Sequence, residues 1–372
     1  MNGREFRLLL VCALLGFGGY ALLLPVVPLW AARGGSGEFG AGLSTGVLMA
    51  VTVATQFGVP TLLRRFGHRP VLAVGALLLG LPAPLMIVSA DLGPVLVVAV
   101  VRGIGFGLLT VAGSALVAEL VAPSERGRAA ARFGYAIGVP QVVLLPAGVG
   151  VAEAIGFDAV FWAAGVAPVL AAVVLAGMRP VPAAPAPAGA AAERRLRPGA
   201  PFLAMLGCST AQGAVITFAP ILPPGATVAV PAALLLTALA SLAGRGVAGE
   251  IADRGVRPAA MLAAGVGATA TGLVLVAVAG AVGLVAGAVL VGAGFGVVQN
   301  AALVALFAAA GPGRYGAASA EWNVAYDAGT GLGATGLGAI AEPFGFPAAF
   351  GAVALGLLVL TPLVGRRRSR PG

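Results

Sequence analysis

Two ionisable residues stand deep inside long apolar runs. Asp327 sits in Glu321-Trp322-Asn323-Val324-Ala325-Tyr326-Asp327-Ala328-Gly329, and Arg102 follows Val98-Ala99-Val100-Val101. A charge near the centre of a lipid bilayer costs about 2.5–3.5 kcal/mol or more, so each requires a partner or a function. A carboxyl group held out of water can load and release a proton, which makes Asp327 the first candidate for proton coupling. Asn323 lies four residues before Asp327 and three before Tyr326, so a helix lines the three up as one polar stripe. The rival role for Asp327 is a fixed hydrogen-bonding group that joins its helix to a neighbour. Arg102 is the second candidate, as a proton-relay or substrate contact; its rival role is an arginine snorkelling to the membrane surface.

Amides and hydroxyls inside apolar runs form a second set. Gln299, Asn300, Thr110, Gln56 and Gln141 are candidates to line a substrate cavity, although the same groups also hold helices together. Arg245, Glu250 and Glu321 form a possible gate network, and Glu119 lies close to a loop. The chain has one histidine, His68, in a loop, and two cysteines, Cys12 and Cys208, within apolar runs. No cluster of His, Asp, Glu or Cys has metal-ligand spacing, and no nucleophile stands beside a base. Neither a metal, a cofactor nor an enzymatic reaction is expected. The Gly-x-Gly runs lack the strand context of a nucleotide site, and no phosphate-binding loop sequence occurs.

The elements that position these residues follow from composition. Of 372 residues, 59% are hydrophobic and only 9% charged, against about 25% charged in soluble domains. The 58 glycines and 27 prolines suit membrane helices, where neighbouring segments satisfy freed backbone groups. A bilayer-spanning helix needs about 20 apolar residues. Twelve such runs are read: 7–31, 41–63, 71–89, 94–121, 129–152 and 159–178, then 202–222, 232–252, 259–280, 283–309, 316–341 and 346–364. The first run is too long for a cleaved signal peptide. The fold class is all-α and membranous, with residues 1–178 and 202–372 as six-helix bundles. Residues 179–201, rich in Pro, Ala and Arg, read as a linker.

All 22 basic residues are arginine. With both ends inside the cell, nineteen fall in inner segments, Arg33 alone falls outside, and Arg102 and Arg245 lie within spans. Positive-inside bias then places both termini in the cytoplasm. The net charge of +9 is topology information and not a nucleic-acid face. Trp30 and Trp162 are expected as interfacial anchors.

The two halves echo each other at a displacement of 189 residues. Arg65 and His68 correspond to Arg254 and Arg257, and Gly105-Phe106-Gly107 to Gly294-Phe295-Gly296. Gly127 corresponds to Gly316, and Glu153-Ala154-Ile155-Gly156-Phe157 to Glu342-Pro343-Phe344-Gly345-Phe346. One displacement across loops and apolar runs means a duplicated bundle, the usual build of a secondary transporter. The mismatches are informative too: Arg64 faces Asp253, Arg102 faces Val291, and Gly138 faces Asp327.

Twelve spans in two sixes, joined by a basic central loop, resemble the major facilitator superfamily along essentially the whole chain. Gly249-Glu250-Ile251-Ala252-Asp253-Arg254-Gly255-Val256-Arg257 is similar to the family's G-x-L-A-D-R-x-G-R signature, with its second glycine one place early. The first-half copy, Pro60 to Arg69, has Arg64 where the family has Asp and Pro60 where it has Gly. The resemblance implies conformational or gating roles for Arg64, Arg65, Gly67, Arg69, Asp253, Arg254 and Arg257. Arg64 is expected to pair with Glu119 or Glu125. Arg102-Gly103-Ile104-Gly105 resembles the helix-4 R-x-x-Q-G pattern, with Gly105 in place of Gln. Pro146 and Gly150 belong to a partial match to the exporters' G-P-x-x-G-G motif.

The expected function is secondary active transport of a small organic molecule by alternating access, as proton-coupled efflux across the plasma membrane by a monomer. Import or facilitated diffusion of a sugar or metabolite is the alternative. A polytopic enzyme or the membrane subunit of an ATP-driven system is more remote.

Overall fold

The computed structural model describes residues 3–121, 125–179, 199–222, 228–278, 280–310 and 315–365. Most of the expected linker and the arginine-rich end after 365 lie outside them, as do Arg194, Arg195, Arg197 and Arg314. Among the described residues every regular element is helical. That is what lipid requires, since a helix satisfies its backbone polar groups within one segment.

Among the described residues twelve spans are present, labelled here α1–α12. The first half holds α1 (Gly3–Arg33), α2 (Gly37–Gln56, resumed over Val59–Phe66), α3 (His68–Val88), α4 (Leu92–Leu120), α5 (Arg126–Ala154) and α6 (Phe157–Ala176). The second holds α7 (Ala200–Ile221), α8 (Ala229–Asp253), α9 (Pro258–Val278) and α10 (Gly280–Ala310). The last continuous stretch, Tyr315–Gly365, breaks at Gly345 into α11 (315–344) and α12 (346–365). Breaks fall where the sequence cannot sustain a regular helix. α1 turns at Pro25, α2 at Phe57-Gly58, and α3 tightens into a 3₁₀ turn after Pro82. α5 carries Pro140 and Pro146 inside it.

The chain divides into two compact units, Met1–Ala190 and Ala191–Gly372. Within the first, α1 packs on α5 and α6, α4 on α2 and α3, and α3 on α6. Within the second, α7 packs on the α11–α12 stretch, and α10 on α8 and α9.

Glycines explain how α4 and α10 reach two neighbours at once. Residues 103 and 107 share one helix face, and 105 lies nearly opposite. A Cβ at Gly103 would lie 2.6 Å from the Leu48 carbonyl oxygen, and one at Gly107 2.8 Å from that of Thr52, both on α2. A Cβ at Gly105 would lie 2.6 Å from the Gly75 carbonyl oxygen on α3. In α10, Gly292 and Gly296 seat in the same way on the Thr237 and Ser241 carbonyls of α8, while Gly294 seats on Gly265 of α9. The displacement is 189 for the α2 and α8 contacts and 190 for those of α3 and α9. Side chains excluded on both sides leave a thin seam, a common device of membrane helix pairs.

The repeated turns also match. Gly156 and Gly345 have φ of 129° and 78°, a region open to glycine but strained for other residues. Each turn feeds a pair of phenylalanines into a cluster. Phe157 and Phe161 pack on Trp30, and Phe346 packs on Phe218 and Phe350. Trp30 is half-buried, and its indole N–H donates to the Met86 and Ser89 carbonyls at 3.1 and 3.3 Å. Trp162, 58% exposed, keeps the outward orientation expected of it. Arg33, the one arginine assigned to the opposite side, pairs with Glu153 and lies over the Phe157 ring. At the other end of this unit, buried Glu5 pairs with Arg4 and accepts the Arg179 backbone N–H at 3.1 Å.

Substitution of Gly105 or Gly294 by valine is expected to destabilise the purified protein by about 1–3 kcal/mol through overpacking. Gly138→Ala, with no atom within 4 Å of its added Cβ, should be neutral or stabilising. Melting temperatures in detergent distinguish the two classes, and equal melting temperatures would refute the seam.

Candidate functional site

One side of α4 between the glycine faces carries the first-unit site. Arg102 and Phe106 are four positions apart, so they share that side. Phe106 stacks on Tyr20 of α1, with centroids 4.0 Å apart and planes 12° from parallel. Arg102 is only 2% exposed. Its Nε donates to the Leu79 carbonyl on α3 at 3.1 Å, and one Nη to the Gly19 carbonyl on α1 at 3.5 Å. Arg102 is not snorkelling; its head lies buried inside the unit. Among the described residues no carboxylate forms an ion pair with it.

In the second unit Phe295 occupies the place of Phe106, but its tyrosine arrives from another helix. Tyr326 of α11 lies 5.7 Å from Phe295 and stacks on Trp322 at 6.0 Å. The Trp322 N–H donates to the Gln299 carbonyl at 3.1 Å, fixing α11 against α10. Asp327, next to Tyr326, is 2% exposed. Buried Asp327 and exposed Arg245 on α8 are both near enough to Tyr326 to act on it electrostatically. The structure thus brings Asp327, Tyr326 and Arg245 together in one unit.

The expected polar stripe on α11 is only partly realised. Asn323 donates to the Ser319 carbonyl of its own helix at 2.9 Å. Among the amides, Gln56 and Thr110 meet across α2 and α4, Nε2 donating to Oγ1 at 3.4 Å. Gln141 donates to Ile137, one turn back on α5. Gln299 is buried, and its side-chain oxygen has no hydrogen-bond partner among the described residues. Asn300 is half-buried, beside Gly249. Pro146 and Gly150 are half-buried within α5.

The loop after α2 differs from expectation in its choice of partner. Arg64 is exposed and donates to Thr61 on its own helix at 3.1 Å. Glu119 is met instead by His68, whose Nδ1 lies 3.4 Å from Oε2. His68 is not a loop residue: it opens α3 and is 0% exposed. Its signal in the sequence was its place opposite Arg257 in the repeat. Arg69 donates to the Ala176 carbonyl at the end of α6, and Arg65 lies over the Phe66 ring. Gly67, with φ of 78°, turns the chain from α2 into α3. Arg254, Arg257 and Glu250 are exposed, and the Asp253 side chain lies outside the described atoms.

Tyr20, Ser209, Gln212 and Thr217 escaped the sequence reading. Ser209 occupies the place of Tyr20, and the three α7 side chains are buried. Ser209 Oγ, Gln212 Oε1 and Thr217 Oγ1 have no hydrogen-bond partner among the described residues. Tyrosine, serine and threonine are common in apolar helices, so composition alone did not mark them. Among the described residues no group of three His, Cys, Asp or Glu side chains is placed to hold a metal ion.

Two helical bundles built on one repeated scaffold, with a buried arginine in one and a buried carboxylate in the other, define a membrane transporter rather than an enzyme. The profile of the Major Facilitator Superfamily matches residues 9–334, and the chain belongs to that family of secondary transporters. No curated relative matches it by sequence. Similar solved structures include a POT family transporter in complex with 5-aminolevulinic acid, at 12% identity and TM-score 0.80, covering 97% of this chain and 95% of that one. Another POT family transporter, in complex with a thioalcohol-conjugated peptide, has 12% identity, TM-score 0.78 and coverages of 97% and 95%. A bacterial homologue of the human lysosomal transporter Spinster, inward-facing and occupied, has 14% identity, TM-score 0.72 and coverages of 96% and 95%.

Glu119→Gln removes the charged partner of a buried histidine and is expected to cost about 1–3 kcal/mol of stability. Arg64→Ala should stay within about 0.5 kcal/mol of the native protein. The reverse ranking in thermal melts would restore Arg64 as the partner of Glu119.

Proposed function

We propose that this transporter exports a small organic molecule across the cell membrane in exchange for protons, with Asp327 as the coupling carboxylate. The observation that carries the reading is Asp327 itself, 2% exposed on α11 beside Tyr326, on which Arg245 also acts electrostatically. A carboxyl group in such surroundings changes charge when it takes up a proton, and a neighbouring arginine responds to that change. Transport would proceed by alternating access. A membrane potential supplies about 2.3 kcal/mol per charge per 100 mV, enough to drive uphill flux through one titrating group.

The arginine distribution supports both termini in the cytoplasm. On that orientation His68, Glu119, Arg69, Arg254 and Arg257 lie at the inner surface, where they would serve the inner gate. The partial exporter motif around Pro146 and Gly150 supports efflux. A small polar organic substrate is also what the similar structures carry, 5-aminolevulinic acid and a peptide conjugate. The transporter is read as acting as a monomer.

The test is transport in proteoliposomes under an imposed pH gradient, with a panel of drugs and metabolites. Native protein should move its substrate against the proton flux. Asp327→Asn should lower gradient-driven accumulation by about tenfold or more, a loss equivalent to about 1.4 kcal/mol. Substrate counterflow without a gradient should persist in the variant. Full gradient-driven transport by Asp327→Asn would eliminate the coupling role, and movement in the same direction as protons would convert the exporter to an importer.

A further inference from the structure

We propose that Arg102 is the receptor for a carboxylate group of the transported molecule, so that the substrate class is organic anions. The inference rests on the transport reading but not on coupling through Asp327. It starts from an unbalanced charge. Arg102 is buried, yet its hydrogen-bonding partners are two neutral carbonyls, those of Leu79 and Gly19. Its other Nη nitrogen has no acceptor among the described residues, and no carboxylate pairs with it there. Buried charges are normally paired, because carbonyl dipoles do not replace an opposite charge in an apolar interior.

The scaffold does not need this charge. The equivalent position in the second unit is Val291, which is fully buried and packs as an apolar residue. An arginine retained in one copy of a seat that a valine fills in the other has been given a task beyond packing.

The space beside the guanidinium indicates what completes it. A recess within the first unit is lined by Arg102, Tyr20, Ser44 and Thr45, with Leu24 and Met86 among its apolar walls. It has room for about one water-sized group. That admits one oxygen of a ligand's head group, with the rest of the molecule outside the recess. Thr45 is buried and makes no hydrogen bond among the described residues, so its hydroxyl can donate into the recess. Ser44 donates instead to the Ala41 carbonyl at 2.7 Å, which leaves its oxygen lone pairs toward other donors. A planar guanidinium with a hydroxyl donor beside it matches a carboxylate, which accepts two parallel N–H bonds and a third from the side.

The test reads binding directly, on the full-length transporter purified in detergent. Melting temperature is followed against benzoate and acetate, against benzamide and acetamide, and against chloride at equal ionic strength. Ligands that bind only the folded state raise the melting temperature with saturation. The carboxylates should do so and the amides and chloride should not. Arg102→Gln should weaken the apparent benzoate affinity by about tenfold or more. Arg102→Lys, which keeps the charge but not the fork, should retain part of it, and Thr45→Val should weaken it while leaving the unliganded melting temperature near native. If Arg102→Gln does not fold, the lysine and Thr45 variants decide. No carboxylate response in the native protein, an equal response to the amides, or a response that chloride reproduces in full would each overturn the proposal. So would native benzoate affinity in both Arg102→Lys and Thr45→Val. Asp327→Asn should keep the benzoate response, so loss of gradient-driven transport with binding intact bears on coupling alone. Gradient-driven transport without a carboxylate response counts against Arg102 alone.

Discussion

The close approach of helix backbones along α4 and α10 is the constraint on which the rest of the structure depends. Each of these helices gives up side chains on two faces, at Gly103, Gly105 and Gly107 and at Gly292, Gly294 and Gly296. The backbones of α2 and α3, or of α8 and α9, fill that space. Large groups are confined to the sides between. Arg102 and Phe106 stand on one such side in the first unit, Val291 and Phe295 on its equivalent in the second. The placement of the chemically useful residues follows from where glycine has excluded everything else.

On that shared frame the two units divide the chemistry differently. The phenylalanine between the glycines finds a tyrosine in both, but from α1 in the first unit and from α11 in the second. With the tyrosine come different neighbours. Tyr20 borders the recess of a buried arginine, whereas Tyr326 stands next to a buried carboxylate. Ser209, in the seat corresponding to Tyr20, is left with a buried hydroxyl and no partner among the described residues. A duplicated scaffold has thus been given a fixed cation in one half and an acid in the other.

The fold was legible because its signals are local or periodic. Twelve apolar runs, the 189-residue echo and the turn glycines at 156 and 345 all lie along the chain. The seam was visible too, as Gly-Phe-Gly at matching places. Partner choice was not, because it depends on residues far apart in sequence. Nothing local to Trp30 shows that its N–H meets the carbonyls of Met86 and Ser89. His68 reads as a loop residue until α3 begins with it and Glu119 arrives from the end of α4. Asn323 looks like part of a stripe with Asp327, yet a carbonyl one turn back satisfies it first. Asp327 and Arg102 stood out because a charge in an apolar run is conspicuous whatever surrounds it. Tyr20 and Ser209 did not, since their types are unremarkable there, whereas Gln212 is an amide of the same kind as Gln56 and Gln299.

The glycine seam has a consequence for descent. Where so much of the packing is set at a few positions without side chains, most other apolar positions need only be apolar and of suitable volume. Leucine, valine and alanine can exchange there over time without altering how the helices meet. Divergence in such a chain erodes identity much faster than shape. That is the relation seen with transporters that share 12% of its residues and still superpose along 97% of its length.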